Sequence, residues 1–273
     1  MGGAAPSIGN AYAGESRHGR AMTTCLPKRA LKALIPGRFH DSVRLAGYRV
    51  AHYGTDRYCL CCNSRVRRFA PYGETPRPEA LCPVCGALER HRLVSLFLRR
   101  NMSRLENPGP LLHVAPEPGI ERQLRSLPGA KYISTDLERP EVTTRADITA
   151  LPFAGDSVGG LYCSHVLEHV ANDRQAMDEF HRVLRPGGWA ILQVPISREE
   201  TFEDPSIEDP ALRRKLFGQC DHVRVYGRDF PDRLRGAGFK VTVARPAHAM
   251  PDGAAERLGV NTNEEVYLCA KAA

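Results

Sequence analysis

Between Lys131 and Val194 the chain spells out strand, carboxylate, strand, helix and strand, an alternation that a layered α/β sheet accommodates and an all-helical or all-β fold does not. Lys131 to Thr135 is a short strand-like run ending in Asp136, and eleven residues on, Asp147 opens the loop Asp147-Ile148-Thr149-Ala150-Leu151-Pro152-Phe153. Leu161-Tyr162-Cys163 reads as the next strand and runs into Ser164-His165-Val166-Leu167-Glu168-His169-Val170. An amphipathic helix follows, with apolar Ala176, Met177, Phe180, Val183 and Leu184 on one face, Asn172 or Asp173 as N-cap and Pro186-Gly187-Gly188 as its stop. Trp189 to Val194 is then a buried strand.

Four of the nine cysteines form a pattern: Cys59 and Cys62 are two residues apart, nineteen follow, and Cys82 and Cys85 are again two apart. Two such knuckles present four thiolates tetrahedrally, the arrangement of a structural zinc site. Asn63 and Gly86 directly follow the pairs and tolerate the left-handed backbone that a knuckle turn needs. Cys61 has the reach to replace Cys62, so the first pair is open at that position. Cys163, Cys220 and Cys269 read as core or strand positions, and Cys25 as an isolated thiol. The segment Gly86 to Leu98 reads as a helix carrying the ribbon onto the main domain, with His91 at the interface or exposed.

This divides the chain into an expected disordered tail (1–24), a basic helical lead-in (25–57), a zinc ribbon with its linking helix (58–101) and a sheet domain (102–273). Residues 1–100 hold 17 Lys and Arg against 6 Asp and Glu, and residues 101–273 hold 21 against 25. The net charge of +7 therefore belongs to the front third, which suits nucleic acid, acidic lipid, an anionic substrate or a solvated Arg-rich surface. No apolar run approaches a membrane span and the N-terminus has no signal-peptide core, which leads to the expectation of a cytoplasmic protein.

The sheet domain opens at Leu111-Leu112-His113-Val114-Ala115, and Asp136 lies 21 residues beyond Ala115, near the spacing at which a carboxylate after the second strand accepts both hydroxyls of a ribose. The first loop, Ala115-Pro116-Glu117-Pro118-Gly119, keeps only the last glycine of a dinucleotide fingerprint, and Glu117 would repel a pyrophosphate. S-adenosylmethionine has no phosphate, and its ammonium suits Glu117. A decayed cofactor site is the other reading of the same loop.

On these residues the chain resembles the class I S-adenosylmethionine-dependent methyltransferases of the type 11 group, in particular members with an N-terminal zinc ribbon and a proline-containing first loop. The resemblance rests on Cys82 to Gly86 with Leu88 to Arg92, Leu112 to Glu117, Asp147 to Phe153, His165 to His169, Arg182 to Gly188 and Asp221 to Gly227, and runs from about Cys59 to Ala270. It implies a Rossmann-like seven-stranded sheet whose last strand, Glu265 to Ala270, is antiparallel. It also implies a ribose contact at Asp136, adenine-side contacts at Asp147 and Ile148, and a methionine-side contact along Val114 to Gly119, including Ala115, Glu117 and Gly119. Gly159-Gly160 stands where the family carries an acidic start to the fourth strand.

Methyl transfer asks the protein to align acceptor and methyl and, for a hydroxyl or amine, to accept a proton. Ser164 and His165 follow the fourth strand on the methyl side, and His165 is the first catalytic candidate. His222 is the second, with Arg224 as a further acceptor contact, while His169 reads as packing. Ile196 to Gln219 reads as a solvated lid with an acidic first half. The expected function is methyl transfer to a small or saccharide-like acceptor, with S-adenosylmethionine and structural Zn2+ as cofactors. RNA methylation using the basic front, and a non-catalytic zinc-ribbon binding protein, are the alternatives.

Overall fold

The alternation centred on residues 131–194 becomes the middle of a seven-stranded sheet. The computed structural model describes residues 40–273 except 74, 107 and 249, with side chains from Leu45 onward, and Leu45–Ala273 form one compact unit. The expectation of a disordered tail over residues 1–24 lies outside the described residues. Helix α1 (His40–Ala51) leads in. Two hairpins make the ribbon: β1 (Arg57–Cys59) with β2 (Ser64–Val66), and β3 (Ala70–Tyr72) with β4 (Arg77–Leu81). Helix α2 (Glu89–Arg100) and the short α3 (Met102–Leu105) then reach the sheet.

The sheet elements are β5 (Gly109–Val114), α4 (Pro118–Arg125), β6 (Ala130–Asp136), β7 (Thr144–Arg145), β8 (Val158–Ser164), α5 (Asp173–Val183) and β9 (Leu184–Gln193). Beyond them come the short strands β10 (Ile196–Arg198) and β11 (Phe202–Glu203), α6 (Pro210–Phe217), β12 (Arg224–Gly227), α7 (Phe230–Gly236), β13 (Lys240–Ala244), α8 (Ala254–Leu258) and β14 (Val266–Ala270). The strand order is β13-β14-β9-β8-β5-β6-β7, with only β14 antiparallel to its neighbours, as the resemblance implies. The expected helix starts at Asp173, where the Asn172 side chain accepts a hydrogen bond from Gln175 N. It stops at Val183, one residue short of the apolar pattern, because Leu184 turns extended and pairs opposite Val158.

Both sheet faces are covered, so the central strands lack polar alternation. Leu112, Leu161, Cys163, Ala190 and Leu192 pack against Met177, Phe180 and Val183 of α5. Leu111, Tyr162 and Ile191 pack on the other face against Leu93 and Phe97 of α2 and Ile120 and Leu124 of α4. Gly159 explains the missing acidic start of β8, since a Cβ there would stand 1.7 Å from the Pro108 carbonyl oxygen. Cys163 and Cys269 are core residues as expected, whereas Cys220 is exposed, its place being the turn after α6 rather than a strand.

Arg92 ties the ribbon to the C-terminal part of the sheet domain. Its side chain is fully buried without a carboxylate partner, stacks 3.8 Å from the centre of the Phe69 ring, and donates from Nε, Nη1 and Nη2 to the carbonyls of Glu79, Ala80, Ala87 and Gly259. Gly259 permits this twice over: its φ is +58°, and a Cβ would stand 2.8 Å from Arg92 Nη2 and 2.6 Å from Phe69. None of the described helices is long and apolar enough to cross a membrane.

Because Arg92→Met would leave several buried carbonyls unpaired at once, it should lower the unfolding free energy by about 3 kcal/mol or more. Urea unfolding of the purified chain checks this, and a loss under about 0.5 kcal/mol, the range of ordinary surface changes, would contradict it.

Candidate functional site

The chain leaves β5 toward β6 on one side, while β8 lies on the other, so the topological switch point falls between the carboxyl ends of β5 and β8. Each strand is followed directly by a non-glycine residue with left-handed backbone, Ala115 (φ 48°) after β5 and His165 (φ 54°) after β8. Each such residue costs about 1–2 kcal/mol, so the surroundings hold both in place. Ala115 N donates to Thr135 O at 2.8 Å and His165 N to Gln193 O at 2.9 Å, which stitches the four parallel strands together at their carboxyl edge.

Glu117 caps α4 from a position where a glycine would let a phosphate approach. Its carboxylate is already engaged, because His91 Nδ1 accepts the Leu88 N–H at 3.1 Å and its Nε2–H points at Glu117 Oε1, 2.9 Å away. His113 Nε2 lies 3.9 Å from Glu117 Oε2. Burial by itself would push the Glu117 carboxyl up, but hydrogen bonding from His113 and His91 outweighs it and holds the group well below the usual carboxylate range. The ammonium partner expected for Glu117 is thus replaced on one oxygen by His91, an interfacial residue whose role the sequence left open, and Oε2 keeps no hydrogen-bond partner.

Asp136 ends β6 with Oδ1 accepting from the backbone N–H groups of Glu138 and Arg139 at 2.9 and 3.0 Å. Arg139 spans the mouth, donating to Pro116 O at 2.8 Å with its Nε 3.6 Å from Asp136 Oδ2. Asp147 closes a local turn through Thr149, and Ile148 beside it is buried. A row of buried atoms without hydrogen-bond partners runs along the carboxyl edge: Glu117 Oε2, Thr135 Oγ1, Tyr162 OH, Ser164 Oγ and Gln193 Oε1. Unsatisfied buried polar atoms are rare and costly, so several on one edge fit a bound polar molecule. The set is rich in acceptors and has no phosphate-binding loop, which suits a cofactor carrying ammonium and hydroxyl groups.

Beyond β8 a single 3-10 turn, Leu167–His169, gathers the two catalytic candidates around one carboxylate that sequence reasoning did not single out. His165 Nδ1 lies 3.3 Å from Glu168 Oε1, and Val223 N donates to Glu168 O at 2.9 Å, bringing His222 alongside. His222 and His169 stack edge to face with centroids 4.6 Å apart. The only hint in the sequence was Glu168 lying between histidines at positions −3 and +1. Arg224 is not an acceptor contact: it is buried, and its guanidinium donates to the carbonyls of Leu167, Val170 and Ala171, fixing this turn from below. The lid is also more ordered than a solvated loop, since β10 and β11 flank β12 and α6 lies between them in sequence. Two of its acidic residues form ion pairs, Glu203 with Arg224 and Arg233, and Glu199 with Arg228.

In the ribbon, Cys59, Cys62, Cys82 and Cys85 bring their sulfurs within 4.8 Å of one another. Cys59–Cys85 and Cys62–Cys82 are 3.7 and 3.9 Å apart, against about 3.8 Å for the edge of a tetrahedron whose sulfurs lie about 2.3 Å from a central zinc. Hydrogen bonds from Cys59, Cys82 and Cys85 hold the Cys62 thiol far below its usual range, while hydrogen bonding to Cys61 and Cys62 pushes Cys59 up to about 12, and Cys82 and Cys85 rise further. Cys61 faces elsewhere: a Cβ on Gly119 would meet its Cβ at 3.1 Å, so it packs on the start of α4. Asn63 (φ 56°) and Gly86 (φ 72°) take the left-handed conformation expected of the knuckles.

Residues 122–192, from α4 through β9 of the sheet domain, match the family described as "Methyltransferase domain". The chain is 30% identical over 156 residues to an uncharacterised 37.1 kDa protein in transposon Tn4556 of Streptomyces fradiae, covering 56% of this chain and 45% of that one. It is 42% identical over 78 residues to an uncharacterised methyltransferase of Mycolicibacterium vanbaalenii, covering 29% of this chain and 30% of that one. The chain thus spans less than half the length of these relatives. A crystal structure of an S-adenosylmethionine-dependent methyltransferase from Mesorhizobium loti aligns with 66% of this chain and 98% of its own at 17% identity and a TM-score of 0.44.

Two outcomes follow from this geometry. Cys62→Ser or Cys82→Ser should release zinc from the purified protein while Cys61→Ser retains it, as metal analysis will show. Burial, then the charge of Glu89, raises the Glu264 carboxyl to about 7, with Arg90 and Arg77 opposing. Below its unfolded value of 4.5 the group is protonated in both states. As pH rises through about 7 the folded state is forced to carry the buried charge, and stability falls. The melting temperature of Glu264→Gln should therefore exceed that of the wild type at pH 8 and match it at pH 4, a difference that thermal melts across this range will reveal.

Proposed function

We propose, from a chain whose residues 122–192 match a methyltransferase domain, that the protein transfers a methyl group from S-adenosylmethionine to a small or saccharide-like acceptor. The observation that carries this reading is the row of unpartnered acceptors at the carboxyl ends of β5, β6, β8 and β9, beside a first loop that excludes phosphate. Asp136 holds the ribose hydroxyls through Oδ2, Asp147 and Ile148 flank the adenine, and Val114, Ala115, Gly119 and the free Oε2 of Glu117 border the methionine end. Ser164 stands at the methyl side. When bound, the cofactor supplies an electrophilic methyl group. His165, its ring set by Glu168, offers a nearby proton acceptor for the attacking group, and His222 lines the acceptor side. A shallow groove of about 530 Å³ lined by Ile196, Ser197, Arg198, Glu199 and Arg228, past the end of β9, has the size for one small molecule.

The zinc ribbon acts structurally. It seats α2, and through His91 it fixes Glu117 in the cofactor loop. RNA methylation is the second reading, favoured by the 17 basic against 6 acidic residues in positions 1–100.

Asp136→Ala should weaken S-adenosylmethionine binding by about 1–3 kcal/mol by calorimetry, through lost hydrogen bonds to a charged group. Unchanged affinity would remove Asp136 from the site, and no binding by the wild type would favour a non-catalytic ribbon protein. Labelled cofactor incubated with cell extract and separated into small-molecule, RNA and protein fractions identifies the acceptor, and label confined to RNA would overturn the small-molecule assignment.

A further inference from the structure

We infer that Glu168, His169 and His222 form a binding site for a divalent first-row transition ion, separate from the ribbon and adjoining the methyl side of the cofactor crevice. One candidate ligand atom from each lies within 4.8 Å of the others. Two histidines and a carboxylate are a donor set that such ions take readily.

The surroundings are those of a prepared site. His222 Nδ1 lies 3.0 Å from the Phe217 carbonyl oxygen and so carries the proton, which leaves Nε2 as a lone-pair donor; that atom is buried and has no partner. His169 Nδ1 lies 3.1 Å from Asp221 Oδ2, an outer carboxylate that likewise directs the lone pair to Nε2. Glu168 is 1% exposed, its Oε1 faces His165 Nδ1 at 3.3 Å, and its Oε2 is buried without a partner. An acceptor beyond each ring's far nitrogen is the arrangement that orients metal-bound histidines and makes them better donors. His222 Nε2 and Glu168 Oε2 are buried polar atoms without a partner beside the half-exposed His169, and a cation there would satisfy both. Arg224, which holds the carbonyls of Leu167, Val170 and Ala171, keeps the turn in this geometry without entering the cluster.

Three protein ligands leave coordination positions open. An acceptor with neighbouring oxygen atoms, such as a sugar diol, would fill them and be oriented toward the methyl group. That use rests on the methyltransferase reading, whereas the metal site does not.

The test adds Co2+ to the full chain with its ribbon loaded with zinc and follows the visible spectrum. One saturating equivalent giving ligand-field bands without thiolate charge-transfer absorption is expected. His222→Asn and Glu168→Gln should weaken Co2+ at least tenfold. Asp221→Asn, at an exposed position, should weaken it about tenfold with unchanged circular dichroism, which guards against variants that fail through misfolding. No saturable signal, a thiolate band alone, or wild-type affinity in the folded His222→Asn protein would each overturn the site. Calorimetry with S-adenosylmethionine on the same samples separates the two claims: cofactor binding without Co2+ binding sinks only the metal site, and the reverse sinks only the methyltransferase reading.

Discussion

A single buried guanidinium joins three segments of this chain, one of them far from the others in sequence. Arg92 makes no close ion pair among the described residues. It is neutralised instead by backbone carbonyl dipoles drawn from the second ribbon hairpin, the turn after Cys85 and the loop after α8. A planar fork of N–H groups fits this task, while a lysine, with three donors at one point, does not. The desolvation cost is offset only when all the carbonyls are in place, so the ribbon, α2 and the segment around Gly259 assemble together. The ribbon needs such an anchor, for its own core is small: Val66, Phe69, Val84, Ala87 and the buried cysteines.

That anchoring places the four-cysteine cluster behind the first loop of the sheet domain. From Cys85 the chain passes through Leu88 and His91 of α2 to Glu117, and Cys61 presses on Gly119 at the same loop. A loop short of glycine must hold any left-handed residue by its surroundings. Here Ala115 is held in its left-handed conformation by β6, and Glu117 is held by two histidines. The proline and glutamate that spoil the dinucleotide pattern are thus a different way of building the same corner.

Much of this architecture was legible because it repeats along the chain with a period. The helix at Asp173 announced itself through its cap and its apolar face, and the knuckles through spacing and Asn63 and Gly86. Helix α6 was equally readable, with Asp209 accepting from Leu212 N, Pro210 in the first turn and Gly218 left-handed at the end. It was passed over because the acidic residues around it suggested solvent. What no sequence pattern carries is which polar groups meet across the fold. His91 with Glu117, Glu168 with His222, and Arg92 with Gly259 join residues 26, 54 and 167 positions apart, and such pairs follow from topology rather than local preference. That Cys62 rather than Cys61 joins the cluster is likewise geometric, decided by which thiol the hairpin turns toward the other three.

The Arg92–Gly259 bond also orders events during synthesis. Its two partners leave the ribosome 167 residues apart, so at about 5–20 residues per second the guanidinium waits roughly 8–30 seconds for its last acceptors. The ribbon can meet Glu117 and Gly119 in that interval, but its bond to Gly259 forms only when almost the whole sheet has been translated. For those seconds the guanidinium lacks the acceptor that joins it to the end of the sheet domain.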